Sequence, residues 1–203
     1  MPTEGEVVSS LEAIVLAAGA GTRFGGAKLT SPWRGRRLIH GAVAAALSAP
    51  VRAVTVVVGA DPAVAKVLGR DPRLRLVRAV DHAQGMAASL RAGIGVLPAD
   101  TTGVFVFLGD MPLIPIDILR PLALALAKGA SAAAPLWAGR RGHPVLFSRT
   151  LFPELLALAG DQGAKSLLDG LGDRLKLVES PDDGVLFDID LRTDSPRGAG
   201  PRS

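Results

Sequence analysis

The most constraining feature of this chain is an apolar run that ends abruptly in glycine. Residues 12–18 read Glu-Ala-Ile-Val-Leu-Ala-Ala and pass straight into Gly19-Ala20-Gly21-Thr22-Arg23-Phe24-Gly25-Gly26-Ala27-Lys28. A run that is apolar at odd and even positions alike fits a central parallel strand covered on both faces. The glycines beyond it have no β-carbon to shield their backbone N–H groups, and such a concavity binds phosphate. One short stretch thus predicts a buried strand, a sharp turn and an anion cradle.

Spacing separates three uses of such a loop. A dinucleotide-binding fingerprint needs glycine at its first, third and sixth positions; Gly19 and Gly21 comply, but the sixth is Phe24. A P-loop needs Gly-Lys-Ser/Thr at its end, whereas Ala27 separates Gly26 from Lys28 and Leu29 follows. The third use is a nucleotidyltransferase loop, which Leu16-Ala17-Ala18-Gly19, Thr22-Arg23-Phe24-Gly25 and Lys28-Leu29 resemble; Arg23 and Lys28 suit it because paired cations match a polyphosphate.

Further apolar runs at 53–58, 74–79 and 103–108 alternate with helix-like stretches at 38–48, 62–69, 86–96 and 115–128. Strand alternating with helix predicts an α/β fold, a three-layer Rossmann-like arrangement on a mostly parallel sheet. After residue 130 short strands are expected at 132–136 and 144–147, helices at 150–158 and 163–170, and a strand near 174–178. This later part is read as capping the sheet and binding the acceptor. The expectation is one domain over 11–192, between a flexible N-terminus (1–10) and a disordered tail (193–203) of Pro, Gly, Ser and Arg.

Composition narrows the chemistry. The absence of cysteine excludes disulfides, zinc–thiolate sites, iron–sulfur clusters and cysteine nucleophiles. Three histidines, at 40, 82 and 143, make a histidine-rich metal site an unsuitable reading. Basic residues are scattered and aromatics reach only 4%, which speaks against nucleic acid as a partner. No apolar run has the length a bilayer needs, and Met1–Ser10 lacks the pattern of a secretory signal, so a cytoplasmic protein without a membrane partner is expected.

Nucleotidyl transfer requires charge to be neutralised on the reacting phosphates, usually by Mg²⁺ held by few carboxylates. Asp110, in Leu108-Gly109-Asp110-Met111-Pro112, follows an expected strand, and ligands of open α/β sheets bind at the carboxyl ends of strands. In Phe187-Asp188-Ile189-Asp190, alternation sends both carboxylates to one side if the segment is extended. Gly85 breaks the chain before a helix that contains Ser89. His143 precedes a short strand, and Asp161 and Lys165 flank a helix start. Plain structural roles stand beside these readings: a turn for Asp110, a first-turn serine for Ser89, a helix cap for Asp161.

Leu16-Ala17-Ala18-Gly19, Thr22-Arg23-Phe24-Gly25, Lys28, Gly109-Asp110-Met111-Pro112, Gly142-His143-Pro144 and Asp188-Ile189-Asp190 together resemble the MobA-like nucleotidyltransferases, with Phe24 where methionine is commoner. The resemblance implies that Leu16, Ala17, Ala18, Gly19, Gly21, Thr22, Arg23, Lys28, Gly85 and Ser89 bind the nucleotide. Arg23, Lys28 and Asp110 then act in catalysis, and Asp110 with Asp190, or alternatively Asp188, holds Mg²⁺. His143, Asp161 and Lys165 receive the acceptor, although Lys165 stands where the family has arginine. Leu191-Arg192 departs from the family's usual Thr-Pro after the second aspartate motif. The Leu-Ala-Ala-Gly form resembles the cytidine-selecting branch, which implies CTP as donor, a molybdopterin cofactor's terminal phosphate as acceptor, pyrophosphate as product and a molybdoenzyme as downstream partner. A GTP-dependent or sugar-phosphate transferase, and a nucleotide- or pterin-binding carrier without catalysis, remain the alternatives.

Overall fold

The computed structural model describes residues 10–19, 27–59, 61–160 and 163–189. The expected flexible terminus and tail, Gly21, Thr22 and Arg23 of the glycine-rich loop, and Asp161 and Asp190 lie outside the described residues.

Chain order runs from β1 (Leu11–Ala17) through β2 (Pro32–Trp33) and β3 (Arg36–Arg37) to α1 (Ile39–Ser48), β4 (Val54–Val58), α2 (Ala63–Val67) and β5 (Leu74–Arg78). It continues with α3 (Met86–Ile94), β6 (Gly103–Leu108), α4 (Leu119–Ala127), β7 (Ala132–Trp137), β8 (Arg140–Arg141) and β9 (Val145–Ser148). Helices α5 (Phe152–Ala157) and α6 (Lys165–Asp169) and strand β10 (Leu175–Glu179) complete it. Each strand and helix expected from the sequence has a counterpart, with ends shifted by a few residues. The two-residue strands β2, β3 and β8 are additions, since a pair of residues carries no periodicity to read.

The main sheet has the order β10-β7-β9-β6-β1-β4-β5, with β8 paired to β7. Strand β1 lies parallel between β4 and β6, and β9 runs antiparallel to both β6 and β7. Here the expectation of a capping C-terminal part is corrected: β7, β9 and β10 extend the sheet itself. The reason is hydrogen bonding. Beyond β6 the sheet would otherwise end in unpaired N–H and C=O groups, and β9 satisfies them from Gly103↔Ser148 to Val106↔Val145.

Apolar residues on both faces of β1 divide between two cores. Leu11, Ala13, Val15 and Ala17 join Ile39, Ala42, Leu119 and Leu122 of α1 and α4. Ile14 and Ala18 join Leu90 and Ile94 of α3 and Phe152 and Leu155 of α5. Three layers result, and full burial of each such Leu, Ile or Phe contributes about 1.5–3 kcal/mol. Glu12 interrupts the run at the amino end of the strand. Its Oε1 accepts from Arg52 Nε at 3.0 Å while Arg52 also grips Asp100, so Arg52 ties β1 to two loops far from the carboxyl ends. Burial raises its pKa and the Arg52 charge opposes that rise.

The direction of strand order reverses between β1, whose other neighbour β4 leads to β5, and β6. In open α/β sheets a crevice opens at the carboxyl ends of strands at such a point.

Candidate active site

At that crevice, β1 ends in Ala17, Ala18 and Gly19 and β6 ends in Leu108, Gly109 and Asp110. Leu16 pairs in register with Leu108, and Gly109 N–H donates to the Leu16 carbonyl at 2.9 Å. Ala17 and Ala18 are each 2% exposed and pack into opposite cores, so their part in a ligand site falls to their backbone. Gly19 is exposed with open space where a Cβ would stand.

The chain is described again from Ala27, which adopts a left-handed conformation (φ 47°, ψ 27°) and starts the short helical turn Lys28–Thr30. That reversal aims Lys28 across the crevice. Its Nζ donates to Asp110 Oδ2 at 2.7 Å, joining two motifs 82 residues apart. The pair is charge-assisted and largely enclosed, Lys28 being 11% and Asp110 28% exposed. The third motif arrives beside it: Ile189 N–H donates to the Asp110 carbonyl at 3.2 Å. Ile189 is fully buried and Asp188 exposed, and 187–189 form no strand. Asp188 is therefore brought beside the Asp110 turn by the backbone bond of its neighbour Ile189.

These donors suit a hard cation. Among the described residues no three His, Cys, Asp or Glu side chains converge on one point. Mg²⁺ tolerates such a sparse set, since it usually takes one or two carboxylates and completes its shell with substrate phosphates and water. Asp110, with Asp188 or Asp190 from the segment bonded to it, could hold it.

A cavity of about 550 Å³ opens beside this point. Its floor is apolar, built from Leu16, Leu108, Val145 and Phe147 with Met86 and Leu90 of α3. His143 and Lys165 both line it, and Arg140 and Arg141 join them. Gly85 sits at φ 101°, a conformation glycine tolerates best, and turns the chain into α3. Ser89 is buried on that helix (6% exposed) and does not line the cavity. The Gly160–Lys165 and Gly85–Ser89 motifs meet, because Ala87 N–H donates to the Gly160 carbonyl at 3.2 Å.

His143 is partly exposed as a residue, but its Nδ1 is buried without a hydrogen-bond partner among the described residues. Burial, with a smaller push from the Arg141 charge, lowers its pKa from 6.5 to about 4 against the opposing pull of Asp110 and the Val106 carbonyl. The neutral imidazole is therefore the favoured form at pH 7. The depressed value makes a stability prediction. Between pH 6.5 and 4 the unfolded chain binds this proton more readily, so stability falls as pH falls through that window, and above 6.5 the residue adds no pH dependence. The slope is at most about 1.4 kcal/mol per pH unit, reduced by partial exposure. Urea midpoints at pH 7 and 4.5 should converge less in the wild type than in His143→Asn; equal losses in both proteins reject the assignment.

Sequence reading missed Arg140, Arg141 and Met86, although the Arg-Arg pair between two glycines and the methionine after Gly85 were visible. It also missed Gly41. A Cβ there would overlap the Pro112 carbonyl and stand 2.6 Å from Pro112 Cα, so glycine lets α1 approach the Asp110-Met111-Pro112 turn. Only the fold reveals that contact.

The carboxyl ends of β1 and β6 at the sheet's switch point, the Lys28–Asp110 pair beside them and a cavity lined by Arg140, Arg141 and Lys165 form a site suited to an anionic ligand. The chain belongs to the family of MobA-like NTP transferase domains, whose model matches residues 13–176, and it is a nucleotidyltransferase. It is similar to the molybdenum cofactor cytidylyltransferase of Escherichia coli, at 26% identity over 92% of this chain and 94% of that protein. It is also similar to the purine catabolism protein PucB of Bacillus subtilis, at 31% identity over 87% and 90%. Among solved structures, Rv0371c of Mycobacterium tuberculosis superposes with a TM-score of 0.80 at 28% identity, covering 92% of this chain and 96% of that one. A second structure of Rv0371c is a complex with manganese, with a TM-score of 0.70, 25% identity and coverage of 85% and 88%. No helix among the described residues is long and apolar enough to cross a membrane.

Proposed function

We propose that this enzyme transfers CMP from CTP to the terminal phosphate of a molybdopterin cofactor and releases pyrophosphate. The observation that carries the reading is the meeting of Lys28, Asp110 and the backbone of Ile189 beside a cavity with a cationic rim. Similarity to the E. coli cytidylyltransferase and the Leu16-Ala17-Ala18-Gly19 form support cytidine and the molybdopterin acceptor.

In this reading an acceptor phosphate oxygen attacks the α-phosphorus of CTP, and the bond from that phosphorus to the bridging oxygen of the β-phosphate breaks. Pyrophosphate departs with the bonding pair. A phosphate monoester has its second pKa near 6 and is largely dianionic at neutral pH, so the protein need not remove a proton. The work of the chain is orientation and charge compensation: Arg23, Lys28 and backbone N–H groups of the loop on the triphosphate, and His143 and Lys165 on the acceptor. A divalent cation on Asp110 and Asp190, or Asp188, would neutralise the reacting phosphates. Manganese in the Rv0371c structure supports a divalent ion, and Mg²⁺ is the one proposed.

Pyrophosphate release with molybdopterin cofactor, compared for CTP and GTP, tests the reading. A base-reading site leaves polar groups unpaired with the wrong base, so kcat/KM for CTP should exceed that for GTP by about tenfold or more. A faster GTP reaction removes the cytidine assignment. Nucleotide binding without any pyrophosphate release, even with a sugar 1-phosphate as acceptor, would make the protein a carrier.

A further inference from the structure

Strands β7 and β8 form a tight strap at the edge of the 550 Å³ cavity. Leu136 pairs with Arg141 and Trp137 with Arg140, leaving a two-residue turn, Ala138 and Gly139, at φ 47° and 74°. Positive φ at both positions matches the hairpin turn whose twist suits paired strands. Past the turn the backbone is pinned on both sides, Gly142 N–H donating to the Pro135 carbonyl and His143 N–H to the Val185 carbonyl, each at 2.9 Å. Arg141 therefore leaves a rigid base.

Its side chain is held as well. One guanidinium nitrogen donates to Asp169 Oδ1 at 2.9 Å, and the other two have no hydrogen-bond partner among the described residues. Asp169 lies four residues beyond Lys165, so one face of α6 carries Lys165 at the cavity and Asp169 at Arg141. The Arg141–Asp169 pair is 24% and 54% exposed, and ion pairs so open to water contribute little to stability. Orientation is the effect that remains. The cavity brings together Arg140, Arg141 and Lys165, and no carboxylate is among its described lining residues.

We propose that Arg141 binds the phosphate monoester of an acceptor whose flat ring system lies on the apolar cavity floor, and that Asp169 is the positioning residue that orients Arg141. The proposal rests on the transfer reading above and assigns the acceptor's recognition within it.

Phenyl phosphate, which has an apolar ring and a monoester, is the probe. Titration followed by NMR should show binding to the wild type and at least about a tenfold weakening in Arg141→Ala, the loss of one charge-assisted contact. Asp169→Asn should weaken it about threefold and Asp169→Glu should recover part of that, with thermal midpoints within about 2 °C. CTP affinity should stay unchanged in all three. In turnover, Asp169→Asn should raise acceptor KM while kcat and CTP KM stay within about twofold. No phenyl phosphate binding by the wild type, equal binding by Arg141→Ala, or a parallel loss of CTP affinity overturns the proposal. Intact Arg141-dependent binding without pyrophosphate release would instead overturn the transfer reading alone.

Discussion

Asp110→Ala is expected to lower kcat about a thousandfold, which corresponds to about 4 kcal/mol of transition-state stabilisation and matches the several kcal/mol that a metal-held charge supplies to a reacting phosphate. The loop around it does not depend on the carboxylate. Gly109 N–H bonds the Leu16 carbonyl, Met111 N–H the Leu108 carbonyl, and Ile189 N–H the Asp110 carbonyl, all through backbone. Loss of the largely enclosed pair leaves Lys28, 11% exposed, without the Asp110 carboxylate and costs about 3 kcal/mol. The thermal midpoint should therefore fall by no more than about 10 °C while turnover collapses. Asp110→Asn keeps an oxygen to accept from Lys28 but removes the charge, and should be nearly as inactive. A chelator should reproduce the loss in the wild type. Single-turnover pyrophosphate release is the measurement, and a rate in Asp110→Ala within tenfold of the wild type would remove Asp110 from the proposed metal site.

A comparable effect on stability is expected at a residue with no chemistry. In Gly142→Ala the new methyl would overlap the Val185 carbonyl oxygen and stand 2.9 Å from Val185 Cβ. The obstacle is backbone and cannot rotate away, so the strap or the 184–189 segment must move. Overpacking of this kind costs about 3 kcal/mol, or about 10 °C in the thermal midpoint of a chain this long. The displacement also breaks the His143 N–H bond to Val185 and shifts Arg141, so acceptor binding should fall with it. Gly139→Ala is the control. It sits at φ 74° with open space around it, and its cost is conformational, about 1 kcal/mol. Differential scanning calorimetry on the two variants should show the larger drop for Gly142→Ala; the reverse order would mean the strap does not pass Val185 this closely.

The contrast between these glycines shows what local pattern can report. Gly139 and Gly142 flank the same arginine pair and look equivalent in sequence. One relieves torsion in its own residue, and the other makes room for a chain segment more than forty residues away. The same limit applies at the site. Asp110 was recognisable because a strand of alternating bulk ends just before it. Its partner Lys28 was recognisable as a cation near glycine, but their contact was not. Asp188 and Asp190 were read as one side of the segment if it is extended; Asp188 is exposed and Ile189 buried, and what the sequence could not show is that the Ile189 N–H is tethered to the Asp110 carbonyl.

The sequence by itself determined the α/β class, the buried first strand and the family to which the glycine-rich and acidic motifs belong. Periodicity and glycine placement report each residue's own burial and backbone freedom. Tertiary structure alone decided that β9 reverses to extend the sheet, that Lys28 closes on Asp110, and that Arg141 with Asp169 lies over the cavity. Those outcomes depend on which strand edges are left unpaired and which distant surfaces pack there. The strand that dominates the sequence thus supplies one wall of a cavity whose other walls come from β6, the strap and α6.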